Sequence, residues 1–367
     1  MIDTRLIMLE GMAGTGKTTN SYFLQIQLER NGKQVKWIHE VSRSHPTSIF
    51  DEAVFTYEEY DAFLKKYPET ANILNKIAVF RKSTVWIDLF EAEWNYKNII
   101  GDSALQELQK FDAWDFPLDR YKEIALDKWA HFVDMALNNK DEIYIIDSSI
   151  FQFQIFAFLF KNMPYEDLEN FVRKLIDIIK PLNPRLIYFY RENTEETIAF
   201  LEKDRGIEFF EWLWNRDKNQ PYYQDKLEGV EGVRQFQRDY AIFAEKLFDM
   251  ADCKKLSIEI SKQDWKCYEN KMLSFLGIEY IASPKFLPLN GIYINEEFNY
   301  KIIINGLNMT DPNGDNRVLT PKSASEFYIE RLPIILRFEE SDQIVVSGIQ
   351  ICGPWTTIEG MRYKKQI

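Results

Sequence analysis

The chain has 367 residues, enough for two domains or for one large α/β domain with an appendage, and its 46% hydrophobic and 15% aromatic content suits a packed core rather than disorder. A formal charge of −12 speaks against a broad phosphate-backbone footprint, so a nucleic-acid partner is not expected beyond what a local basic pocket could hold. The greasiest stretch, Ile150 to Phe160, is broken by Gln152 and Gln154, so no membrane partner is expected; the first strand begins without a signal peptide, and Cys253, Cys267 and Cys352 form no paired metal spacing, which predicts a reducing, cytoplasmic setting without disulfide or zinc.

The apolar run from Arg5 to Glu10 reads as a short buried strand, and Lys17 to Arg30 as a helix with Phe23, Leu24 and Leu28 apolar. Between them, Gly11-Met12-Ala13-Gly14-Thr15-Gly16-Lys17-Thr18 fits G-x-x-x-x-G-K-[ST], the Walker A phosphate loop, with Thr19 following. The three glycines let the backbone curl round a phosphate at the helix amino terminus, where unpaired N–H groups and the helix dipole favour an anion. Lys17 then adds a point charge to the outer phosphates, and the Thr18 hydroxyl can ligate Mg²⁺. Nucleotide binding is therefore expected at Gly11 to Thr19, with ATP and Mg²⁺.

Asn31-Gly32 stops the helix, and Gln34 to Glu40 reads as a second strand ending in His39 and Glu40. About 41–140 is too long for one crossover helix and is read as a helical insertion over the sheet's carboxyl edge, carrying Trp86, Trp94, Trp114 and Trp129. The third strand, Glu142 to Asp147, closes on a carboxylate. A helix over Phe171 to Ile179 is stopped by Pro181 and Pro184, and Arg185 to Tyr190 is a fourth strand. Thr194 is taken as the cap of a helix reaching about Arg205, and the charged, aromatic stretch Arg205 to Gln224 as a mobile flap. Val233, Phe236, Tyr240, Phe243, Leu247 and Met250 mark one helix face, Lys255 to Ile260 a fifth strand, and a last helix ends near Gly277. Alternation of this kind predicts a five-stranded parallel sheet with helices on both faces over 1–282, with ligands at the strands' carboxyl ends.

The pattern changes after Ser283-Pro284. Gly291–Ile294, Tyr300–Ile304, Glu326–Glu330, Ile334–Phe338, Gln343–Ile351 and Trp355–Tyr363 read as short strands between turn signals. This predicts a small antiparallel, barrel-like or sandwich β domain over 283–367, roughly 80 residues.

The order of parts over residues 1 to about 278 resembles the thymidylate kinase and deoxynucleoside kinase group of phosphate-loop kinases. The resemblance implies Glu40, at the place of an Arg-Glu-Pro or Glu-Pro motif, as general base, a task suited to a carboxylate near the transferred phosphate. A solvated strand-end acid, or a partner for a nearby lysine, fits Glu40 as well. Asp147-Ser148-Ser149 stands where the relatives carry Asp-Arg or Glu-Arg followed by serine, which implies Mg²⁺ on Asp147 together with Thr18; a plain helix cap is the other reading. The missing arginine speaks against a nucleoside monophosphate acceptor. Arg205, with Arg216 after it, matches the flap arginines that neutralise charge on the moving phosphoryl group, while a surface ion pair suits either. Arg191 replaces a frequent aspartate. Gln152 and Gln154 fall near substrate-facing positions of the relatives, and Trp86 and Trp94 are candidates for an acceptor pocket, although core is the usual place for such residues.

Leu289 to Tyr293, Leu319 to Phe327, Leu336 to Glu340 and Gly360 to Lys364 resemble the small lipocalin-like β domains appended to some penicillin-binding-type serine hydrolases. The expectation is thus a kinase, Lys17, Glu40, Asp147 and Arg205 serving transfer from ATP to a hydroxyl or phosphate of a small-molecule acceptor. The alternative is a nucleotide-dependent binding or regulatory module whose β domain engages a partner. The oligomeric state, a homo-oligomer included, stays open.

Overall fold

In the computed structural model, which describes residues 3–43, 45–224, 226–339, 342–348, 355 and 360–366, the apolar run after Arg5 forms β1 (Leu6–Gly11), buried along its whole length. α1 (Lys17–Arg30) leads into β2 (Gln34–Ile38). The insertion supplies β3 (Glu52–Thr56), α2 (Tyr57–Lys66), α3 (Ala71–Ile77), β4 (Val79–Phe80), β5 (Thr84–Asp88), α4 (Leu89–Ile100), α5 (Asp102–Gln109) and α6 (Leu118–Asn138). β6 (Glu142–Asp147), α7 (Gln152–Phe160), α8 (Tyr165–Ile179), β7 (Arg185–Tyr190), α9 (Thr194–Arg205), α10 (Ile207–Asp217), α11 (Gly229–Met250), β8 (Lys254–Glu259) and α12 (Trp265–Leu276) follow.

Five strands pair in parallel in the order β2-β6-β1-β7-β8. Parallel pairing needs long crossovers, so helices cover both faces and the strands read as near-continuous apolar runs. Side chains alternate along β1: Ile7 and Leu9 meet Leu24 and Leu28 of α1 and Met272 of α12, while Leu6 and Met8 share the opposite core with Trp129, Leu175 and Leu247. The register sets Leu9 beside Asp147 and Gly11 beside Phe189, so the loops after β1, β6 and β7 converge at one edge of the sheet. α8 begins earlier than its apolar spacing suggests, because Pro164 precedes it and Glu166 and Asp167 favour its first turn.

The insertion carries the expected helices and also a three-stranded antiparallel sheet, order β3-β5-β4, that the sequence reading misses. This sheet has its own core of Ala53, Phe55, Phe63, Val85 and Ile87. The stretch expected to be a mobile flap contains the helix α10, and the cap of α9 is Asn193, whose side chain accepts from the Glu195 N–H at 3.1 Å, rather than Thr194. Asparagine reaches back to the first-turn donors, which leaves Thr194 as the first helical residue.

From Gly291 onward β9 (Gly291–Asn295), β10 (Tyr300–Asn305), β11 (Asn308–Thr310), β12 (Asn316–Pro321), β13 (Glu326–Ile329), β14 (Ile334–Glu339), β15 (Gln343–Gly348) and β16 (Met361–Lys365) pair antiparallel in sequence, and β16 returns to β9 to close an eight-stranded barrel. Ile302 and Ile304, Phe327 and Ile329, Ile344 and Val346, and Met361 and Tyr363 alternate inward and fill it around Trp355. β11 and β12 go unread in the sequence because they bury so few apolar side chains, Met309 in the first and Leu319 and Pro321 in the second. The final strand starts at Met361 rather than Trp355; the expected strand residues at 349–351 and 356–359, with Cys352, lie outside the described residues. Among the described residues no helix is long and apolar enough to cross a membrane.

The barrel grips the carboxyl half of α1. Glu29 accepts from Lys322 Nζ at 2.7 Å and Tyr328 Oη at 2.8 Å, and Tyr22 donates to Thr320 Oγ1 at 2.9 Å. Gln27 and Asn31 pair their amides with the backbone of Ile281 and Glu279 in the connecting segment. Two bonds to one partly buried carboxylate support an expected result: Glu29→Ala loosens docking by about 2 kcal/mol. Calorimetry should then resolve separate unfolding of the barrel and the sheet domain, where the parent chain unfolds them together.

Candidate nucleotide site at the sheet edge

The loop after β1 is a close-packed turn. Gly11 sits at φ 145°, and a Cβ there would lie 2.4 Å from the Phe189 carbonyl oxygen, so no other residue fits. Thr15 donates from Oγ1 to the Met12 carbonyl at 2.7 Å, and Tyr240 of α11 donates to the Gly11 carbonyl at 3.3 Å. Gly16, in the left-handed region, packs under the Trp265 ring, which a Cβ would approach to 3.0 Å. α1 then starts with no side chain capping it and no acid in its first turn, which leaves its amino-terminal N–H groups ready for an anion. Met12 and Thr15 are buried, Ala13, Gly14 and Thr18 are half-buried, and Thr19 faces solvent.

Lys17 folds back over this turn, donating to the Gly11 and Met12 carbonyls at 2.8 and 2.9 Å. Burial pulls its ammonium below the usual lysine range, opposed by the nearby negative charges of Glu40, Glu10 and Asp147 and assisted by the positive charge of Arg205. The four residues expected to serve chemistry, Lys17, Glu40, Asp147 and Arg205, thus lie within electrostatic reach of one another's loop.

Glu40 follows β2 and receives a hydrogen bond from Gln152 Nε2 at 3.1 Å. Burial alone would raise its carboxyl, but Lys17, His39 and Gln152 together hold it below the ordinary value. Asp147, at the end of β6, is fully buried and neither carboxylate oxygen has a hydrogen-bond partner. Desolvation raises it to about 6, with Lys17, His39 and the Thr18 hydroxyl acting in the opposite sense and Glu40 reinforcing the rise. Asp147 caps no helix, since α7 begins at Gln152 without a side-chain cap. Ser148, at φ 62° and equally buried, leaves its Oγ without a bond of good geometry while standing close enough to help lower Glu40.

These orphaned oxygens bear on a metal. Among the described residues no three His, Cys, Asp or Glu side chains cluster as a complete ligand set. Mg²⁺ takes few protein ligands and fills its shell with water and phosphate oxygens, so one unpartnered carboxylate beside a threonine hydroxyl fits it. Thr18 and Asp147 are the residues that would hold it.

Several other expectations resolve. Arg205 is exposed at the end of α9, with its guanidinium 4.8 Å from the Phe209 ring centre. Arg216 makes two 2.6 Å bonds to Asp217, the surface-pair role. Gln154 is spent on the core, accepting from Tyr121 Oη at 2.9 Å. Trp86 is buried between the Arg81 and Lys128 cations, and Trp94 is exposed on α4 against Phe90.

The sequence reading overlooks Glu10. Its Oε1 accepts from the Ser149 and Phe151 N–H groups at 2.9 and 3.0 Å, tying the loop after β6 to the phosphate loop, and its Oε2 has no partner. A lone acid closing an apolar strand was the available signal. Burial pushes Glu10 up to about 7 against the pull of the Phe151 N–H, of Lys17, and of the Ile150 and Ser149 N–H groups. A carboxyl raised in the folded state contributes stability that is complete below its unfolded value near 4.5 and lost as pH climbs through about 7. Glu10→Gln should therefore flatten the fall of melting temperature between pH 5 and pH 7, roughly, an effect of ~3 kcal/mol at most. Unchanged pH dependence in that variant would refute the assignment.

Compared with known proteins, the chain matches no family model and no curated protein. Function is therefore argued from this site's own chemistry.

Proposed function

We propose that the chain is an ATP- and Mg²⁺-dependent phosphotransferase that moves the terminal phosphoryl group to a hydroxyl or phosphate of a small molecule. The observation that carries this reading is the convergence of Glu40, Asp147 and Arg205 on the Lys17 loop, two acids and an exposed cation around an anion cradle at the carboxyl edge of a parallel sheet.

The loop backbone and the open amino terminus of α1 hold the phosphates, and Lys17 exchanges its two carbonyl partners for phosphate oxygens. Thr18 and Asp147 would hold Mg²⁺, which would supply charge neutralisation on the phosphate oxygens. Glu40 remains ionised beside Lys17 and His39, so it can accept the proton of an acceptor hydroxyl, with Gln152 fixing the carboxylate's orientation. Arg205, exposed and free of any carboxylate partner among the described residues, can swing in to meet charge on the transferred group. Ser148 in place of the relatives' arginine favours an alcohol over a nucleoside monophosphate as acceptor.

The barrel's hold on α1 through Glu29 favours a second reading, a nucleotide-dependent regulatory module. One assay separates the two. ADP formation from ATP and Mg²⁺ is followed across a panel of nucleosides, nucleoside monophosphates and unrelated alcohols. The kinase reading expects at least one acceptor to accelerate it; ATP consumption indifferent to every acceptor and to Lys17→Ala would overturn it.

A further inference from the structure

A second cavity, of about 300 Å³, opens on the α11 face of the sheet, where Tyr188 packs, opposite the face that α1 and α12 cover. The volume lies at the lower end of the range for small-molecule sites. Met12 and Thr15 of the phosphate loop form part of its floor, while α9 and α11 form its walls. A wider groove between β8 and α12, lined by Leu256, Lys266 and Lys271, is open surface without a buried polar group.

Three independent features of the cavity specify a ligand. The first is Arg191, 8% exposed, whose one hydrogen bond goes to the neutral Thr197 hydroxyl at 3.3 Å. Among the described residues it has no carboxylate within ion-pair distance; its guanidinium lies 5.1 Å from the Phe200 ring centre, with Glu196 and Glu259 as its nearest negative charges, so most of its five donors lack a hydrogen-bond partner at the cavity wall. Thr194, at the amino end of α9, lines the same wall and adds a hydroxyl and a helix terminus to this anion-binding end.

The second feature is the α11 wall, where Glu245 and Asp249 stand one turn apart, with Glu192 also in the lining. Among the described residues none of the three side chains has a cationic partner, which suits an ammonium group. The third is an aromatic ladder in the same lining: Tyr190 stacks on Tyr188 at 5.9 Å, and Tyr188 on Phe248 at 5.2 Å. Such a wall takes a flat apolar body and assists a neighbouring cation.

We propose that this cavity is a binding site for a small zwitterion with an aromatic body, an aromatic α-amino acid being the simplest member. Its carboxylate meets Arg191 and Thr194, its ammonium meets Glu245 and Asp249, and its ring lies on the Tyr188 ladder. Because Met12 and Thr15 belong to both sites, occupancy and nucleotide binding are coupled, and each ligand changes the other's affinity by the same factor.

The test is calorimetric titration of the full chain, without nucleotide, with three probes: L-phenylalanine, L-phenylalaninamide and 3-phenylpropionate. Its outcome is thus independent of the phosphotransferase reading. L-Phenylalanine is expected to bind saturably, and removal of either charged group to weaken binding about tenfold or more. Arg191→Gln should erase the preference for L-phenylalanine over its amide. The exposed double variant Glu245→Gln/Asp249→Asn, which leaves the core untouched, should weaken L-phenylalanine about tenfold while sparing 3-phenylpropionate. No saturable binding of L-phenylalanine at millimolar concentration, equal binding of all three probes, or unchanged affinity in both variants would overturn the proposal.

Discussion

Lys17→Ala is expected to lower kcat/KM for phosphoryl transfer by about 10³ or more, corresponding to ~4 kcal/mol of lost transition-state stabilisation. The ammonium is buried inside the loop, where a charge acts through a low effective dielectric and outweighs the same charge in solvent. The fold should survive. Burial already disfavours the ammonium, and its two partners are backbone carbonyls whose loss from one donor each costs about 1 kcal/mol apiece at most. A melting temperature close to the parent's, with transfer gone, identifies a functional lysine; a variant that unfolds while its residual folded fraction keeps full specific activity would place Lys17 in the framework instead.

Asp147→Asn should separate function from stability in opposite directions. Both carboxylate oxygens are buried without hydrogen bonds, desolvation raises the group to about 6, and Glu40 adds like-charge repulsion. Above that pH the folded chain holds a buried charge that His39, Lys17 and the Thr18 hydroxyl offset only in part, and an isosteric amide removes it. The variant is expected to be at least as stable as the parent above pH 6, by about 1–2 kcal/mol, and to lose transfer by ~10²-fold or more. Such sites store instability for a ligand to relieve. A destabilised Asp147→Asn with unaltered kinetics would show the carboxylate to be structural. The deficit builds as pH climbs from the unfolded value near 3.8 to about 6, so the stability difference should shrink below pH 6 and vanish only below about pH 4.

The parallel sheet was legible because Glu142 to Asp147 and Arg185 to Tyr190 are short apolar runs, rich in isoleucine and aromatics, that are buried on both faces, and their length and composition separate them from a buried helix. The tight turn after β1 was legible for a stricter reason, since Gly11 tolerates no Cβ against Phe189 and the spelling records that constraint. The small sheet of the insertion was not. β3 and β5 span five residues each and run straight into α2 and α4, too short for alternation to stand out from helical spacing. α10 was hidden by composition, because Phe209, Trp212 and Trp214 among charges read as a flap while in the fold Phe209 and Trp214 pack against the main core. Tyr240 was correctly placed on a helix face, yet its hydroxyl reaches the Gly11 carbonyl, a contact between residues 229 positions apart that no local pattern encodes. The gathering of Glu40, Asp147 and Arg205 round Lys17 follows from strand order, and its chemistry depends on burial that only the packed structure supplies.

The most direct test of phosphoryl transfer is the fate of the terminal phosphate itself, followed by ³¹P NMR with the full chain, ATP, Mg²⁺ and the acceptor panel. The site predicts a new phosphoester resonance that grows with ADP for one class of acceptor and is absent with Lys17→Ala. ATP converted to ADP and inorganic phosphate alone, or left intact with every acceptor, would contradict it.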